Sequence, residues 1–221
     1  MDFAFAVSDG MGGARAGEYA SRIAMEKIAQ LLPRSFQQSA AGLETGFTDV
    51  LEELFDRTHR ALILLGGSYE ECAGMEATLS LCWFTPGRLY FGHIGDSRIY
   101  YLPAGGKTVK QLTQDDTHVA WLLRQGQINE RQARSHPRRN VLQKALGGAN
   151  QFVDPQVGAV AYEPGDLLLL CTDGLIEGLY DYDLAGLMRA PEPAGPARLL
   201  VETALAKGAR DNVTALVVEV T

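Results

Sequence analysis

The middle of the chain contains three short apolar segments of β-forming residues, separated by residues typical of tight turns. The segments are ATLSLCWF, RLYFGHI and SRIYYL, and Pro86-Gly87 and Gly95-Asp96 separate them. Short runs that are rich in aromatic and β-branched residues and bounded by Pro, Gly and Asp are typical of strands. The pattern therefore predicts a meander of antiparallel strands.

Helical patterns lie on both sides of these strands. EYASRIAMEKIAQLL spaces its apolar residues as a helix does, and a second helix is predicted within LEELFDRTHRALILLG, ending at Gly66-Gly67. Residues 115–148 and 175–207 are also helix-like, the latter interrupted by APEPAGP, and DLLLLCTDG and NVTALVVEV are predicted strands. This order favours an α+β fold in which two layers of antiparallel sheet are flanked by helices.

Composition and charge exclude several classes of protein. A length of 221 residues suits a single domain over residues 1–221, and an apolar content of 46% suits a folded core. The net charge of −7 without a run of Lys and Arg argues against nucleic-acid binding. No apolar stretch approaches the ~18 residues of a membrane span, and no secretory signal pattern is present. Scattered cysteines without a C-x-x-C pair predict reduced, buried thiols in a cytoplasmic protein, at Cys72, Cys82 and Cys171.

Four aspartates share one local setting at the ends of predicted strands. Asp9, Asp96 and Asp173 each follow an apolar strand, and Asp211 precedes the last one, each beside a Gly or Asn. Taken singly, each is a turn residue, because Asp and Gly favour turns. If the strands lie side by side, however, their ends gather the four carboxylates at one edge of the sheets.

Such a cluster of carboxylates would need a cation, because like charges at close range raise one another's pKa. The turns supply only oxygen ligands, which favour Mg²⁺ or Mn²⁺ over zinc or copper. Two such ions about 3.5–4 Å apart can activate a bridging water and stabilise an in-line displacement at phosphorus. A nucleotide-binding loop at Asp9, Gly10, Gly12 and Gly13 is the competing interpretation, but the third glycine of a dinucleotide loop is replaced by Arg15.

Five motifs, in this order, resemble the bacterial form of the metal-dependent serine/threonine protein phosphatases of type 2C. They are AVSDGMGGARAGEYAS, HIGDSRIYYL, LTQDDTHV, LLLLCTDGL and RDNVTALVVEV. The resemblance covers nearly the whole chain and implies an α-β-β-α sandwich with two Mn²⁺ or Mg²⁺ ions. It further implies that a metal-activated water attacks phosphoserine or phosphothreonine in proteins, opposing a bacterial-type Ser/Thr kinase in cytoplasmic signalling. We expect a monomer.

The resemblance also implies roles for single residues. Asp9 matches the aspartate that bridges the two metals, and Gly10 would bind one of them through its carbonyl oxygen. Asp173 and Asp211 match the other core ligands, so that Asp9, Asp173 and Asp211 are the predicted catalytic residues.

Two further positions match the surroundings of a third, weaker metal site. Asp96 matches an acid near that site, although it could instead fix its turn with Ser97 and Arg98. Asn140 falls near the same metal. Residues 117–140 match the flap that lies over the active site of the family, in keeping with their polar composition.

The sequence departs from the family pattern in two places. The family opens with two more strands carrying a phosphate-binding arginine and an acidic metal ligand, whereas Met1 stands eight residues before Asp9 here. We therefore expect either a start upstream of Met1 or a weakened phosphatase, and Arg15 is a candidate substitute contact for the anion. In GMEATLSL, Glu76 and Ala77 replace residues that are usually small and hydroxylated, with an expected effect on packing rather than on chemistry.

Two functions of different classes follow from these patterns. One is a metal-dependent protein phosphatase; the other is a catalytically silent binding module that docks on a kinase or a phosphoprotein. A nucleotide-binding domain is a third interpretation, which would require a parallel sheet behind the glycine turn. The phosphatase hypothesis requires that the carboxylates of Asp9, Asp173 and Asp211 converge around a metal pair.

Overall fold

The structure, a computed structural model, describes residues 3–12, 16–40, 46–150, 152–191 and 194–221, with residues 34–40 described by their backbone alone. Gly13 of the glycine turn and Arg15, the candidate anion contact, lie outside these ranges. The helices are α1 (Ala16–Ala40), α2 (Phe47–Ser68), α3 (His118–Arg124), α4 (Glu130–Arg134), α5 (Asp173–Gly178), α6 (Asp181–Met188) and α7 (Pro196–Ala206). The strands are β1 (Phe3–Val7), β2 (Gly10–Met11), β3 (Glu76–Ala77), β4 (Leu79–Thr85), β5 (Arg88–Ile94), β6 (Arg98–Leu102), β7 (Lys110–Gln111), β8 (Leu146–Gly147), β9 (Gln156–Ala161), β10 (Leu167–Cys171) and β11 (Ala215–Glu219).

Two four-stranded antiparallel sheets form the centre of the fold. The first has the strand order β1-β4-β5-β9, and the second has the order β11-β10-β6-β7. A small third sheet, β2-β3-β8, lies beside the start of α1. Because all the pairings between the described strands are antiparallel, no parallel sheet stands behind the glycine turn among the described residues, and the nucleotide-binding interpretation loses its support.

Apolar side chains on both faces of the central strands build the layers. Along β4, Leu81 and Trp83 pack against α1 and α2, whereas Cys82 and Phe84 face the second sheet. Strand β10 repeats this division, because its odd-numbered residues pack against α5, α6 and α7 and its even-numbered residues face the first sheet. Strands buried on both faces read as continuous apolar runs. The layers are therefore helix, sheet, sheet and helix, which confirms the predicted α+β fold.

The predicted meander is wrong for its third strand. Strands β4 and β5 form a hairpin, but β6 pairs with β10 and β7 in the other sheet. The free edge of β5 is taken by β9 instead. Gly95 redirects the chain at this point with a φ of +103°, a value that favours glycine. As a result, Gly95, Asp96 and Ser97 lie where the chain crosses from one sheet to the other.

The second helix extends farther than the sequence suggests. Instead of ending at Gly66-Gly67, α2 continues through both glycines to Ser68, and Tyr69 N–H donates to the carbonyl of Leu65. Glycine lowers the propensity for a helix without preventing one, and the buried residues of α2 hold it against the first sheet.

Two predictions drawn from composition can be compared with the structure. All three cysteines are free and buried, as predicted. Among the described helices, none combines the length and the apolar character that crossing a membrane would require.

Candidate active site

Asp9 is held at the end of β1 by the residue that faces it across the sheet. The N–H of Asp9 donates to Thr78 Oγ1 at 2.9 Å, and the carbonyl of Asp9 accepts from Thr78 N–H at 2.8 Å. These bonds continue the β1–β4 ladder two residues beyond Val7. The backbone of Asp9 is thereby fixed, while its carboxylate stays available to the site.

Gly10 is required by a close approach of two backbone segments. A Cβ at Gly10 would lie 1.7 Å from the carbonyl oxygen of Gly17 in the first turn of α1. A Cβ at Gly17 would lie 2.5 Å from the carbonyl oxygen of Gly10. On its other side Gly10 pairs with Ala77, one of the two residues that depart from the family pattern. Packing therefore explains this glycine, and its use as a metal ligand stays a prediction.

Asp173 and Asp211 belong to two loops that are bonded to each other. Asp173 begins α5 directly after β10, and the preceding residue, Thr172, connects to the loop before β11. Thr172 Oγ1 donates to the carbonyl of Asn212 at 3.3 Å and accepts from Thr214 N–H at 3.1 Å. The antiparallel pairing of β10 with β11 brings both acids to the same end of the second sheet.

Uncompensated negative charge is the main electrostatic feature of the site. Burial and then the nearby carboxylates of Asp9 and Asp211 raise the pKa of Asp173 to about 7. Asp173 Oδ1 is buried and has no hydrogen-bond partner among the described residues. Burial and Asp211 likewise raise the pKa of Asp9, whose carboxyl group lies within hydrogen-bonding reach of that of Asp173. The three predicted catalytic acids thus interact with one another.

Asp96 belongs to the same charged region, on the turn between the two sheets. Burial, followed by the charges of Asp173, Asp115 and Asp9, raises the pKa of Asp96 to about 8. The turn itself is held by Asp116, whose carboxylate accepts from Gly95 N–H at 3.1 Å and whose N–H donates to the carbonyl of Gly95 at 2.7 Å. Asp116 therefore helps to hold this turn, and the metal-related role of Asp96 stays a prediction.

A cavity of about 330 Å³ lies between Asp96 and Asp173 and part of residues 117–140, which are predicted to form the flap. Asp96, Asn140 and Asp173 all line it, and Val119, Leu123 and Ile176 supply an apolar wall. Asp9 and Asp211 are not among its lining residues, but the charges of both act on Asp173, which does line the cavity.

Arginines also line the cavity, with different degrees of constraint. Arg134 stacks over the Tyr180 ring at 3.7 Å and donates to the carbonyls of Ile176 and Leu179, so its position is fixed. Arg139 forms a loose pair with Glu177 at 3.7 Å, and Arg210 is exposed. The last two guanidinium groups are available to a bound anion.

The donors at the site suit a hard divalent cation, although their side chains do not form a ligand cage. Among the described residues, no group of three or more Asp, Glu, His and Cys side chains has a geometry that could hold an ion. One carboxylate oxygen of Asp211 is used within its own loop instead, because Asp211 Oδ1 accepts the N–H of Asn212 at 2.7 Å. The donors nevertheless fit such a cation chemically, since all of them are oxygen atoms and the buried Oδ1 of Asp173 lacks a partner among the described residues. Convergence around a metal pair stays a prediction.

One partly buried ion pair that lines the cavity was missed at the sequence level. Arg98 forms two hydrogen bonds to Asp115, at 2.9 and 2.7 Å, and a third to Tyr100 Oη at 2.7 Å. Tyr100 in turn donates to Asp181 at 2.9 Å, which joins the pair to α6. The motif LTQDDTHV contains Asp115, but a motif does not show which cation its acid meets. The ladder position of Thr78 was likewise missed.

Comparison with known proteins now identifies the class to which this fold and site belong. A family model described as Protein phosphatase 2C matches residues 1–200. The chain therefore belongs to the protein phosphatase 2C family, and the resemblance drawn from its motifs is confirmed.

Individual relatives support the same conclusion. The chain is 36% identical over 218 residues to the serine/threonine protein phosphatase PstP of Mycobacterium tuberculosis, a match that covers 97% of this chain and 40% of PstP. It is 32% identical over 215 residues to the serine/threonine phosphatase stp of Listeria welshimeri, covering 96% of this chain and 82% of that protein. The chain thus spans well under half the length of PstP, but most of the length of the Listeria protein.

Solved structures confirm the fold. The catalytic domain of PstP, crystallised in complex with two manganese ions, superposes with a TM-score of 0.82 at 31% identity. The match covers 100% of this chain and 91% of that chain.

Proposed function

We propose that this chain hydrolyses phosphoserine and phosphothreonine in proteins with the help of divalent metal ions. The observation that carries the proposal is the coupled group of Asp9, Asp173 and Asp211, in which a buried carboxylate oxygen has no partner among the described residues. Membership of the protein phosphatase 2C family and the phosphatase names of its relatives support the same chemistry.

Different residues of the site would bind the metal ions and the phosphate group. Asp9, Asp173 and Asp211, with the carbonyl of Gly10, would hold the metal pair. When bound, such ions supply a nucleophilic water at neutral pH and neutralise phosphate charge. Arg139 and Arg210 would bind the phosphate oxygens, because guanidinium groups match them in geometry and charge.

The apolar wall of the cavity should strengthen the interactions between these charged groups and a bound phosphate. Val119, Leu123 and Ile176, which line the cavity, would limit the water around a bound phosphoryl group. Charge interactions are stronger in such a partly dry setting than in bulk water. The proton needed by the departing serine or threonine oxygen would come from water, since no histidine is among the described residues that line the cavity and acids that hold metal ions would be ionised.

The cofactor is proposed to be Mn²⁺ or Mg²⁺, with a third ion beside Asp96 and Asn140. Both of these residues line the cavity that contains Asp173, which supports a shared site. Two manganese ions in the related PstP structure support the choice of Mn²⁺ for the core pair. A bacterial-type Ser/Thr kinase as partner, a monomeric state and a cytoplasmic role in bacterial signalling stay predictions of the resemblance.

Hydrolysis of a phosphothreonine peptide by the 221-residue chain, after chelation and with Mn²⁺ restored, tests the proposal. We expect turnover that requires the metal and falls at least about 100-fold in Asp173→Asn. Asp154→Asn serves as the matched control, because this exposed carboxylate pairs with Lys144 at the surface and is not among the residues that line the cavity. Its turnover should equal that of the wild type.

The rival function predicts a different pattern. A silent binding module would bind the phosphopeptide without hydrolysing it, and Mn²⁺ would leave the product level unchanged. A folded wild-type chain that behaves in this way contradicts the proposed activity.

A further inference from the structure

We infer that Thr78 is a positioning residue, which fixes the Asp9 turn against the Asp96 turn and so sets the arrangement of acids that receives the metal. The inference rests on the proposed function, because the arrangement matters only if these acids bind metal ions. Thr78 precedes β4 and is 1% exposed, so its hydroxyl group is removed from solvent.

Thr78 is bonded to the Asp9 turn through its backbone and its side chain together. Its Oγ1 accepts from Asp9 N–H at 2.9 Å, and its own N–H donates to the Asp9 carbonyl at 2.8 Å. Its carbonyl oxygen accepts from the Ser8 hydroxyl at 2.6 Å. The position of Asp9 along the strand is therefore determined at Thr78.

The same hydroxyl reaches the turn that carries Asp96. Thr78 Oγ1 and Ser97 Oγ lie 2.7 Å apart, and both residues are buried. The methyl group of Thr78 contacts the turn as well, since a Cβ at Gly95 would lie 2.6 Å from Thr78 Cγ2. One side chain thus touches the residues on both sides of Asp96 while it holds Asp9.

This connection crosses between the two sheets. Asp9 follows a strand of the first sheet, whereas Ser97 leads into β6 of the second. A small shift between the sheets would move Asp96 relative to Asp9, and a buried hydroxyl with two partners resists that shift. Valine would fill the same volume without either bond, and would leave the N–H of Asp9 without its side-chain acceptor.

Residues that orient metal ligands without touching the metal commonly contribute 10–100-fold to metal affinity. We therefore expect Thr78→Val to weaken Mn²⁺ binding about tenfold or more. Thr78→Ser keeps the hydroxyl and should restore affinity to within about threefold of the wild type, since it loses only the methyl contact with Gly95.

The experiment titrates Mn²⁺ into the chelator-treated chain by calorimetry and records urea unfolding of the same samples. Thr113→Val is the matched control, because Thr113 is also buried and its hydroxyl also accepts a backbone N–H, that of Ile99, at 3.2 Å. Thr113→Val should cost comparable stability and leave Mn²⁺ affinity unchanged.

The outcomes distinguish a failure of the proposed phosphatase function from a failure of the inference on Thr78. If the wild type binds no Mn²⁺, the proposed function fails; if the wild type binds and Thr78→Val binds equally well, the inference fails. An equal loss of affinity in Thr113→Val would also overturn it, because the effect would then follow stability alone. Should Thr78→Val not fold, Ser97→Ala removes the other end of the bond between the turns, and unchanged affinity in that variant refutes the inference.

Discussion

Neutralising Asp173 should stabilise the metal-free protein and at the same time remove its response to Mn²⁺. The carboxylate has a buried oxygen without a partner among the described residues. Burial, then Asp9 and Asp211, raise its pKa from 3.8 to about 7. Because the pKa is higher in the folded than in the unfolded state, the folded protein binds more protons between about pH 4 and pH 7. Stability therefore falls as the pH rises through this window.

The size of the effect follows from the rise in pKa. A change from 3.8 to about 7 corresponds to about 4 kcal/mol above pH 7 for an isolated group, at about 1.4 kcal/mol for each pH unit. Asp173 shares its titration with neighbouring carboxylates, and an asparagine would still be a buried polar group. We therefore expect Asp173→Asn to raise the free energy of unfolding at pH 8 by about 2 kcal/mol, with little effect at pH 4.

Urea unfolding at both pH values, first with a chelator and then with Mn²⁺, measures these changes. Mn²⁺ should stabilise the wild type at pH 8 and leave Asp173→Asn nearly unaffected. Asp166→Asn is the matched control, because this buried carboxylate accepts from Tyr101 Oη at 2.5 Å and from the N–H groups of Ala104 and Glu163, both at 2.8 Å. It should lose about 1–3 kcal/mol. A loss of metal-free stability in Asp173→Asn, or an undiminished response to Mn²⁺, would refute the reasoning.

Other substitutions test the packing around the site. Gly10→Ala should lower the free energy of unfolding by about 3 kcal/mol or more, because its Cβ would lie 1.7 Å from a carbonyl oxygen. Gly67→Ala lies in open space within α2 and should raise the free energy of unfolding by about 0.5–1 kcal/mol. Equal urea midpoints for the two variants would contradict this. Arg98→Met should cost about 3 kcal/mol by leaving the partly buried carboxylate of Asp115 without its cation, and adding Asp115→Leu should recover part of that loss; additive losses would show that the pair is not coupled. Arg134→Lys keeps the charge but loses the planar stack, so limited proteolysis should cut residues 117–140 faster than in the wild type; unchanged cleavage rates would argue against the anchoring role.

Much of the fold could be predicted from local pattern alone. The strands at the centre are buried on both faces, and a strand in that position must be apolar throughout, which is why LSLCWF and LLLLC stand out in the sequence. The aspartates at the strand ends are equally visible, because a turn that follows such a run is short and polar. The fold class and the family were therefore evident before the structure.

The sheet to which each strand belongs was not evident. The segment SRIYYL has the same character as RLYFGHI, yet it joins the other sheet. A pattern of apolar residues shows that a strand is buried, but any strand of similar length can satisfy its hydrogen bonds. The choice between partners depends on packing among residues far apart in the chain.

The amino-acid sequence by itself determined the buried central strands, the positions of the acids and the family. Only the tertiary structure decided which groups meet: Thr78 bonds to Asp9 from 69 positions away, and Thr172 bonds to Asn212 from 40 positions away. The physical reason is that side-chain periodicity reports whether a residue faces the core or the solvent. The identity of a hydrogen-bond or charge partner is set by how the two sheets stack, and that arrangement exists only in the folded chain.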